Sequence, residues 1–115
     1  MNQEITFVTG NAKKLAEREQ ILGCKLRSQN IDLPEYQGKS EYVSYEKCKL
    51  AANIVKGPVL IEDTSLCFNA LNSLPGPFIK WFYDEIGNEN IFKLLTAFPD
   101  HTGYALCIFC LFSRA

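Results

Sequence analysis

The sequence predicts an α/β fold in which strands and helices alternate along the chain. Short runs of strand-forming residues occur at residues 5–8, 59–61 and 104–112, and segments with helical periodicity lie between them. Glycine and proline separate several of these segments, as turns between elements require. The chain has 115 residues and 47% hydrophobic content, so we expect residues 1–115 to form a single domain with its own core.

The charge and the cysteine content narrow the class of protein. The net charge is −1, and 12 basic and 13 acidic residues are interspersed, which predicts no nucleic-acid or membrane surface. Charged residues are scattered through positions 1–20, unlike a secretory signal. No apolar run approaches the roughly 20 residues of a membrane span. The odd number of cysteines, five, favours reduced thiols and a cytoplasmic location.

The first element is a strand over residues 5–8 that passes directly into a turn. Gly10 suits a tight turn, and we expect it to have a positive φ. Asn11 is a good N-cap for a helix over residues 12–22, and Gly23 is a good residue to end that helix. The chain therefore begins as strand, turn and helix.

Two lysines, Lys13 and Lys14, stand in the first turn of this helix. The backbone N–H groups and the positive end of the helix dipole suit an anion there, and the two ammonium groups add charge. The pattern fits a phosphate cradle, although no Walker motif is present. An ordinary capped helix with solvated lysines fits it as well, so the residues alone leave both interpretations open.

The next two elements are a strand over residues 25–33 and the most regular helix of the chain, over residues 41–56. Val43, Leu50 and Ile54 form an apolar stripe on this helix, and Cys48, Ala51 and Val55 lie beside it. A glycine–proline pair then ends it.

Lys47 is unusual because it lies in the middle of the predicted apolar stripe. Its long side chain could run along the buried face and reach water at the edge. It could also point into a polar cleft. Pattern alone does not separate these two interpretations.

A short apolar strand over residues 59–61 ends at Glu62, Asp63 and Thr64. Two carboxylates at the end of a buried strand are costly unless a partner compensates their charge. Ligands bind at this end of the strands in open α/β sheets, and a divalent cation would remove the repulsion. A solvated strand end is the simpler alternative.

The remaining segments continue the alternation of strands and helices. We predict a strand over residues 66–71, a rigid loop over residues 74–77, and helices over residues 78–86 and 88–98. The last strand covers residues 104–112, and the chain ends soon afterwards. We therefore expect this strand to lack a neighbour or a covering layer.

Two residue pairs in this part could serve chemistry or structure. Lys80 and Trp81 fit a phosphate contact beside a packing anchor, or simply the start of an amphipathic helix. Cys107 and Cys110 form a CxxC pattern, but residues i and i+3 of a strand face opposite sides. We therefore interpret this cysteine pair as structural rather than metal-binding or redox-active.

Four segments, taken in order, resemble the motifs of the inosine triphosphate pyrophosphatase family. They are residues 7–15 (FVTGNAKKL), 31–38 (IDLPEYQG), 59–71 (VLIEDTSLCFNAL) and 74–82 (LPGPFIKWF). Residues 104–107 (YALC) match the strand that follows in the family. The resemblance extends over nearly the whole chain in one register, which makes it far more specific than any single motif.

The resemblance implies an α/β fold with a mixed sheet flanked by helices. It also implies hydrolysis of non-canonical purine nucleoside triphosphates (ITP, dITP and XTP) to the monophosphate and pyrophosphate. It further implies a cytoplasmic protein, and a homodimer if the fold is completed. The substrate-binding residues implied by the resemblance are Thr9, Gly10, Asn11, Ala12, Lys13, Lys14, Lys47, Asp63, Thr64 and Lys80.

The resemblance further implies a magnesium site, with Mn²⁺ as a possible substitute. Glu35 and Asp63 would bind the metal, and Glu62 would lie close by. Asp63 would also be the catalytic residue that activates water for attack on the α-phosphorus. One aspartate and one glutamate suffice, because Mg²⁺ usually takes one or two protein carboxylates and completes its shell with phosphate and water.

The sequence departs from the family pattern in two motifs. The Phe-Gly-Trp-Asp and Ser-His-Arg motifs that contact the base in the family do not occur here. We therefore expect a family member truncated at its C-terminus, without the C-terminal lobe elements. The alternative to an active enzyme is an impaired isoform or paralogue that acts as a weak nucleotide-binding or dimerisation module.

Overall fold

The computed structural model describes residues 4–113, which form two compact units. The first unit comprises the described residues up to Glu62 together with those from Phe109 onward, and the second comprises Asp63–Ile108. The prediction of one domain over residues 1–115 extends beyond the described residues and stays a prediction. The elements are β1 (Thr6–Val8), α1 (Ala12–Leu22), β2 (Arg27–Gln29), α2 (Ser40–Val55), β3 (Val59–Phe68), a 3₁₀ turn (Asn69–Leu71), β4 (Pro75–Gly76), α3 (Ile79–Leu95) and β5 (Gly103–Phe112).

The five strands form one mixed sheet in the order β2-β1-β3-β4, with β5 also paired to β3. Strand β1 runs parallel to both β2 and β3, whereas β3 runs antiparallel to β4. The predicted mixed α/β sheet is thereby confirmed. The last strand was expected to lack a neighbour or a covering layer. Strand β5 does have a neighbour, since it pairs with β3, but none of its residues is fully buried.

Helix α1 has the predicted bounds, and local signals explain both ends. Asn11 has an extended backbone, and its side chain accepts hydrogen bonds from the first turn. Gly23 has a φ of 70°, and its N–H donates to the carbonyl of Glu19, as in a left-handed C-terminal cap. The signals that set the two ends of the helix therefore lie at its own termini.

Helix α2 buries a different face from the predicted stripe. Val43 is buried, but Leu50 is only partly buried and Ile54 is 48% exposed. The buried face is shifted toward Cys48 and Ala51, the smaller residues predicted beside the stripe, and it packs closely against the sheet. Its buried members are Ser40, Val43, Ser44, Cys48, Ala51 and Ala52.

Strand β3 corrects the sequence prediction of two short strands separated by an acidic strand end. Val59–Phe68 is one continuous strand, so Glu62 and Asp63 lie inside it rather than after it. Glu62 and Asp63 break the apolar pattern of the sequence, but the strand continues through them. Their side chains alternate with the pleat.

The loop predicted over residues 74–77 contains the two-residue strand β4. Pro75 pairs with Cys67 and Gly76 pairs with Leu66, and the peptide between Leu74 and Pro75 is cis. Both residues of β4 are buried. This segment is thus part of the sheet edge rather than a free loop.

Helix α3 joins the two predicted helices, 78–86 and 88–98, into one element with a kink. Gly87 has φ 76° and ψ 165°, which is not helical, so the predicted separation at this point is correct. The second half ends at Leu95, three residues earlier than predicted. Trp81 is 54% exposed on the first half.

Each unit has its own buried core, and residues of β3 contribute to both. In the first unit, Val59 and Ile61 pack with α2, whereas the intervening Leu60 packs with Phe7 and, beyond it, Leu15 of α1. Helices therefore cover both faces of the sheet there. In the second unit, the buried core consists of Phe68, Ile91 and Leu95.

Strand β5 alternates between partly buried and exposed residues. Cys110 and Phe112 contact the first unit's core, while Phe109 and Leu111 are 53% and 59% exposed. Cys107 is exposed and Cys110 is partly buried, so the predicted opposite orientation of the CxxC cysteines is confirmed. Over residues 4–113, no helix has the length and apolar character that crossing a membrane requires.

Candidate functional site

The turn between β1 and α1 is held by hydrogen bonds of its own side chains. Oδ1 of Asn11 accepts from the backbone N–H of Lys13 at 3.0 Å and of Lys14 at 3.1 Å. The N–H of Asn11 donates to Oγ1 of Thr9 at 3.1 Å. The predicted N-cap is confirmed, and it occupies two of the N–H groups that the sequence offered to an anion. Positive charge at this turn therefore comes mainly from the lysine side chains and the helix dipole.

The expected positive φ at Gly10 is wrong. The glycines with positive φ in residues 4–113 are Gly23, Gly38, Gly76 and Gly87. A Cβ at position 10 would lie 2.9 Å from Nδ2 of the exposed Asn30 side chain. Gly10 therefore lets the Asn30 side chain lie against the turn, and a larger residue would require that side chain to shift.

Glu62 of β3 brings two cations of α1 together. The Arg18 guanidinium donates from Nε to Oε2 at 2.5 Å and from Nη2 to Oε1 at 2.8 Å. Nζ of Lys14 lies 3.3 Å from the same Oε1. The Glu62 side chain is 3% exposed, whereas those of Lys14 and Arg18 are 33% and 21% exposed. A nearly buried carboxylate therefore anchors a partly exposed lysine.

The charges around Glu62 keep its carboxylate ionised. The hydrogen bonds from Arg18 lower the pKa of Glu62 below its ordinary value, and the charge of Lys14 acts in the same direction, while burial opposes both. The Arg18 guanidinium also lies over the ring of Phe109, 5.9 Å from its centroid, within cation–π range. Glu62 is thus a strong acceptor with fixed partners.

Arg18 is the functional candidate that the sequence interpretation missed. It lies four residues after Lys14, so both side chains project from the same face of α1. That spacing was visible in the sequence. Its partner Glu62 is 44 residues away, however, and nothing local indicates which acidic residue it meets.

The other predicted site residues of the first unit are Glu35 and Lys47. Glu35 is exposed in the segment between β2 and α2. Lys47 is partly buried on α2, one helical turn from the buried Val43 on one side and the buried Ala51 on the other. It therefore lies on the buried face, as the sequence indicated, although the stripe around it was assigned incorrectly.

The predicted site residues Asp63, Thr64 and Lys80 belong to the second unit. Asp63 and Thr64 are consecutive in β3, where Asp63 is partly buried and Thr64 is exposed. Lys80 is exposed in the first turn of α3. Their roles toward substrate and metal stay predictions.

The donor atoms of the predicted magnesium site fit the metal chemically. Carboxylate oxygens such as those of Glu35 and Asp63 are the hard ligands that Mg²⁺ prefers. Glu62 does not suit this role, because Arg18 and Lys14 already occupy its oxygens. Residues 4–113 contain no cluster of three or more histidine, cysteine, aspartate or glutamate side chains that could hold a metal. A site with two carboxylates would need phosphate oxygens and water to complete it.

A pocket of about 460 Å³ lies within the second unit, between β3, α3 and β5. Leu66, Phe68, Ile91 and Phe92 line much of it, and none of its lining residues carries a formal charge. It does not suit a phosphate group. The start of α1 therefore stays the predicted anion site.

The fold and the turn at α1 define an α/β protein with a capped, lysine-bearing helix start after its first strand. A model of the Ham1 family matches residues 5–115. This chain belongs to the Ham1 family. The resemblance noted in the sequence is thereby confirmed at the level of the family.

Solved structures share the fold. A HAM1 protein from Coxiella burnetii matches with a TM-score of 0.85 and 24% identity, covering 98% of this chain and 64% of that one. The Ham1 protein of Staphylococcus aureus matches with a TM-score of 0.81 and 20% identity, covering 97% and 64%. A nucleoside-triphosphatase / dITP/XTP pyrophosphatase from Mycobacterium abscessus matches with a TM-score of 0.69 and 19% identity, covering 95% and 72%. The chain spans 64% of the length of the first two structures.

Proposed function

We propose that this chain catalyses Mg²⁺-dependent hydrolysis of non-canonical purine nucleoside triphosphates (ITP, dITP and XTP) to the monophosphate and pyrophosphate. The observation that carries the proposal is the turn from Thr9 to Lys14, where a side-chain cap fixes the helix start and Glu62 holds the Lys14 ammonium. Membership of the Ham1 family supports it. The name of the Mycobacterium abscessus structure, a nucleoside-triphosphatase / dITP/XTP pyrophosphatase, supports the substrate class.

The proposed roles follow from charge. Lys14, with Lys13 beside it, offsets the negative charge of the triphosphate, and the positive end of α1 adds to this. Lys47 and Lys80 are further proposed substrate contacts. Together these residues bind and orient the phosphate chain.

Asp63 is the proposed general base, which takes a proton from the water that attacks the α-phosphorus. Glu35 and Asp63 would hold Mg²⁺, and Mn²⁺ could replace it. When bound, the metal would supply further neutralisation of phosphate charge. A cytoplasmic location and a homodimer complete the proposal, with no nucleic-acid or membrane partner.

A second candidate function is nucleotide binding or dimerisation without turnover. It rests on the capped, lysine-bearing start of α1, which could hold phosphate without any catalytic step. The two candidates share the phosphate contacts and differ in catalysis.

Pyrophosphate release from ITP, compared with ATP, tests the proposal. Purified chain with Mg²⁺ is expected to release pyrophosphate faster from ITP, and Asp63→Asn is expected to abolish the release. Asp84→Asn is a matched control, since Asp84 is an exposed aspartate of the same unit. Equal release by the wild type and Asp63→Asn would refute the role of Asp63. ITP binding without release would favour the second candidate.

A further inference from the structure

Lys14 and Arg18 share one carboxylate but do not share it equally. Arg18 contacts both oxygens of Glu62 through two hydrogen bonds, whereas Lys14 contacts only Oε1, at the longer distance of 3.3 Å. A bidentate guanidinium–carboxylate pair has better geometry than a single lysine contact. Arg18 is therefore the principal counterion of Glu62, and Lys14 is the secondary one.

The net charge of this group of three side chains is what an approaching anion meets. Two cations and one carboxylate leave a surplus of one positive charge. Arg18 is committed to Glu62 and lies over Phe109, while Lys14 is the most exposed of the three. The surplus charge is therefore presented by Lys14. A further contact of Arg18 to the exposed Glu17, at 3.9 Å, is long and screened by water.

We infer that Arg18 is a positioning residue that neutralises Glu62 and so keeps the charge of Lys14 available for a polyphosphate. This inference rests on the proposed function in one respect, namely that Lys14 contacts phosphate. Without Arg18, Glu62 would pair with Lys14 alone, and the cluster would carry no net charge toward the anion. In this view the negative charge of Glu62 opposes phosphate binding, although its carboxylate anchors both cations.

Binding of inorganic tripolyphosphate, measured by calorimetry without metal at fixed ionic strength, tests this role. Arg18→Met is expected to weaken binding roughly tenfold, which is the loss expected when one charged contact is impaired. Glu62→Gln breaks the same ion pair but removes the competing carboxylate. It is expected to bind tripolyphosphate at least as tightly as the wild type.

These opposite effects distinguish charge control from a purely structural ion pair. If the pair only stabilises the fold, Arg18→Met and Glu62→Gln should weaken binding together, and that result would overturn the inference. The double variant Arg18→Met/Glu62→Gln restores the surplus of one charge and is expected to bind within about threefold of the wild type. It keeps the test decisive if Glu62→Gln alone does not fold.

Two further variants make the test specific to Lys14. Arg27→Met removes an arginine that pairs with the exposed Glu4 in the same unit, and it is expected to leave binding unchanged. In a Lys14→Ala background, Arg18→Met is expected to have no further effect. A tenfold loss in either case would contradict the inference, as would a wild type that does not bind tripolyphosphate.

The outcome separates the inference from the proposed function. Suppose that the wild type and the variants bind tripolyphosphate in the expected order of affinity, but the wild type releases no pyrophosphate from ITP. That result would refute the proposed enzymatic activity and support the role of Arg18. A wild type that hydrolyses ITP while Arg18→Met and Glu62→Gln lose affinity together would refute the role of Arg18 and support the enzyme.

Discussion

The side-chain oxygen of Asn11 accepts a hydrogen bond from the backbone N–H of Lys14 at 3.1 Å. Lys14 is therefore fixed at both ends, by Asn11 at its backbone and by Glu62 at its ammonium group. A flexible lysine normally loses much side-chain entropy when it binds an anion. Here part of that ordering is already present, because the backbone and the Nζ atom both have partners.

Replacing Asn11 by alanine should destabilise the chain by about 1 kcal/mol, because the cap of α1 is lost. Asn11→Ser should destabilise the chain less, since the serine hydroxyl can still accept a hydrogen bond from the first turn of α1. Urea denaturation of the purified variants measures both. Asn53→Ala, at an exposed interior position of α2, is the control and should be neutral or slightly stabilising. An equal loss at positions 11 and 53 would contradict a capping role.

Replacing Gly87 by alanine should cost about 1–3 kcal/mol, because its φ of 76° and ψ of 165° suit glycine almost exclusively. Gly57→Ala is a close control, since a Cβ would meet nothing within 4 Å at either position and Gly57 has no positive φ. Its effect should stay within about 0.5 kcal/mol. Thermal or urea unfolding gives the difference. Similar losses at the two positions would show that backbone conformation is not the cause.

The buried thiol of Cys48 should make the first unit less stable in alkaline solution. The pKa of Cys48 is raised from 9.0 to about 12, chiefly by burial and in smaller part by its contact with Cys110. The folded chain therefore keeps this proton where the unfolded chain releases it, so stability is lost as the pH rises from about 9 toward 12.

Cys48→Ala removes this titration and provides the measurement. The stability difference between the wild type and Cys48→Ala should narrow as the pH rises above 9. Cys24→Ala, which removes an exposed thiol from the same unit, is the control and should leave the alkaline loss of stability as it is in the wild type. A constant gap for Cys48→Ala across this range would contradict the prediction.

Lys47→Ala should weaken ITP binding about tenfold in the presence of Mg²⁺, with little change in melting temperature, if this lysine contacts substrate. Lys49→Ala is the matched control on the exposed side of the same helix. Calorimetric titration and thermal unfolding are measured on the same samples. A lower melting temperature with unchanged binding would mean that Lys47 only covers the buried face with its aliphatic stem.

The sequence predicted elements whose signals are local and missed those that depend on distant partners. The bounds of α1 follow from Asn11 and Gly23, which act within one turn of the helix. Strand β3 was predicted in two pieces because Glu62 and Asp63 interrupt its apolar pattern. Glu62 is tolerated there because Arg18, 44 residues earlier, compensates its charge.

The candidate site shows the same division. The Thr9–Asn11 turn could be predicted because its hydrogen bonds join neighbours in sequence. The close approach of Asn30 to Gly10 could not, because the two residues are 20 apart in sequence and meet only in the folded sheet. The buried face of α2 was also misassigned, since close packing selected small residues such as Ala51 over the larger Ile54.

Trp81, which is 54% exposed on α3, is the one tryptophan of the sequence and lies in the second unit. Its fluorescence emission therefore reports the unfolding of that unit, whereas far-ultraviolet dichroism sums the helices of both units. Coinciding midpoints from the two signals would show cooperative melting, and separate midpoints would give the stability of each unit without an added label.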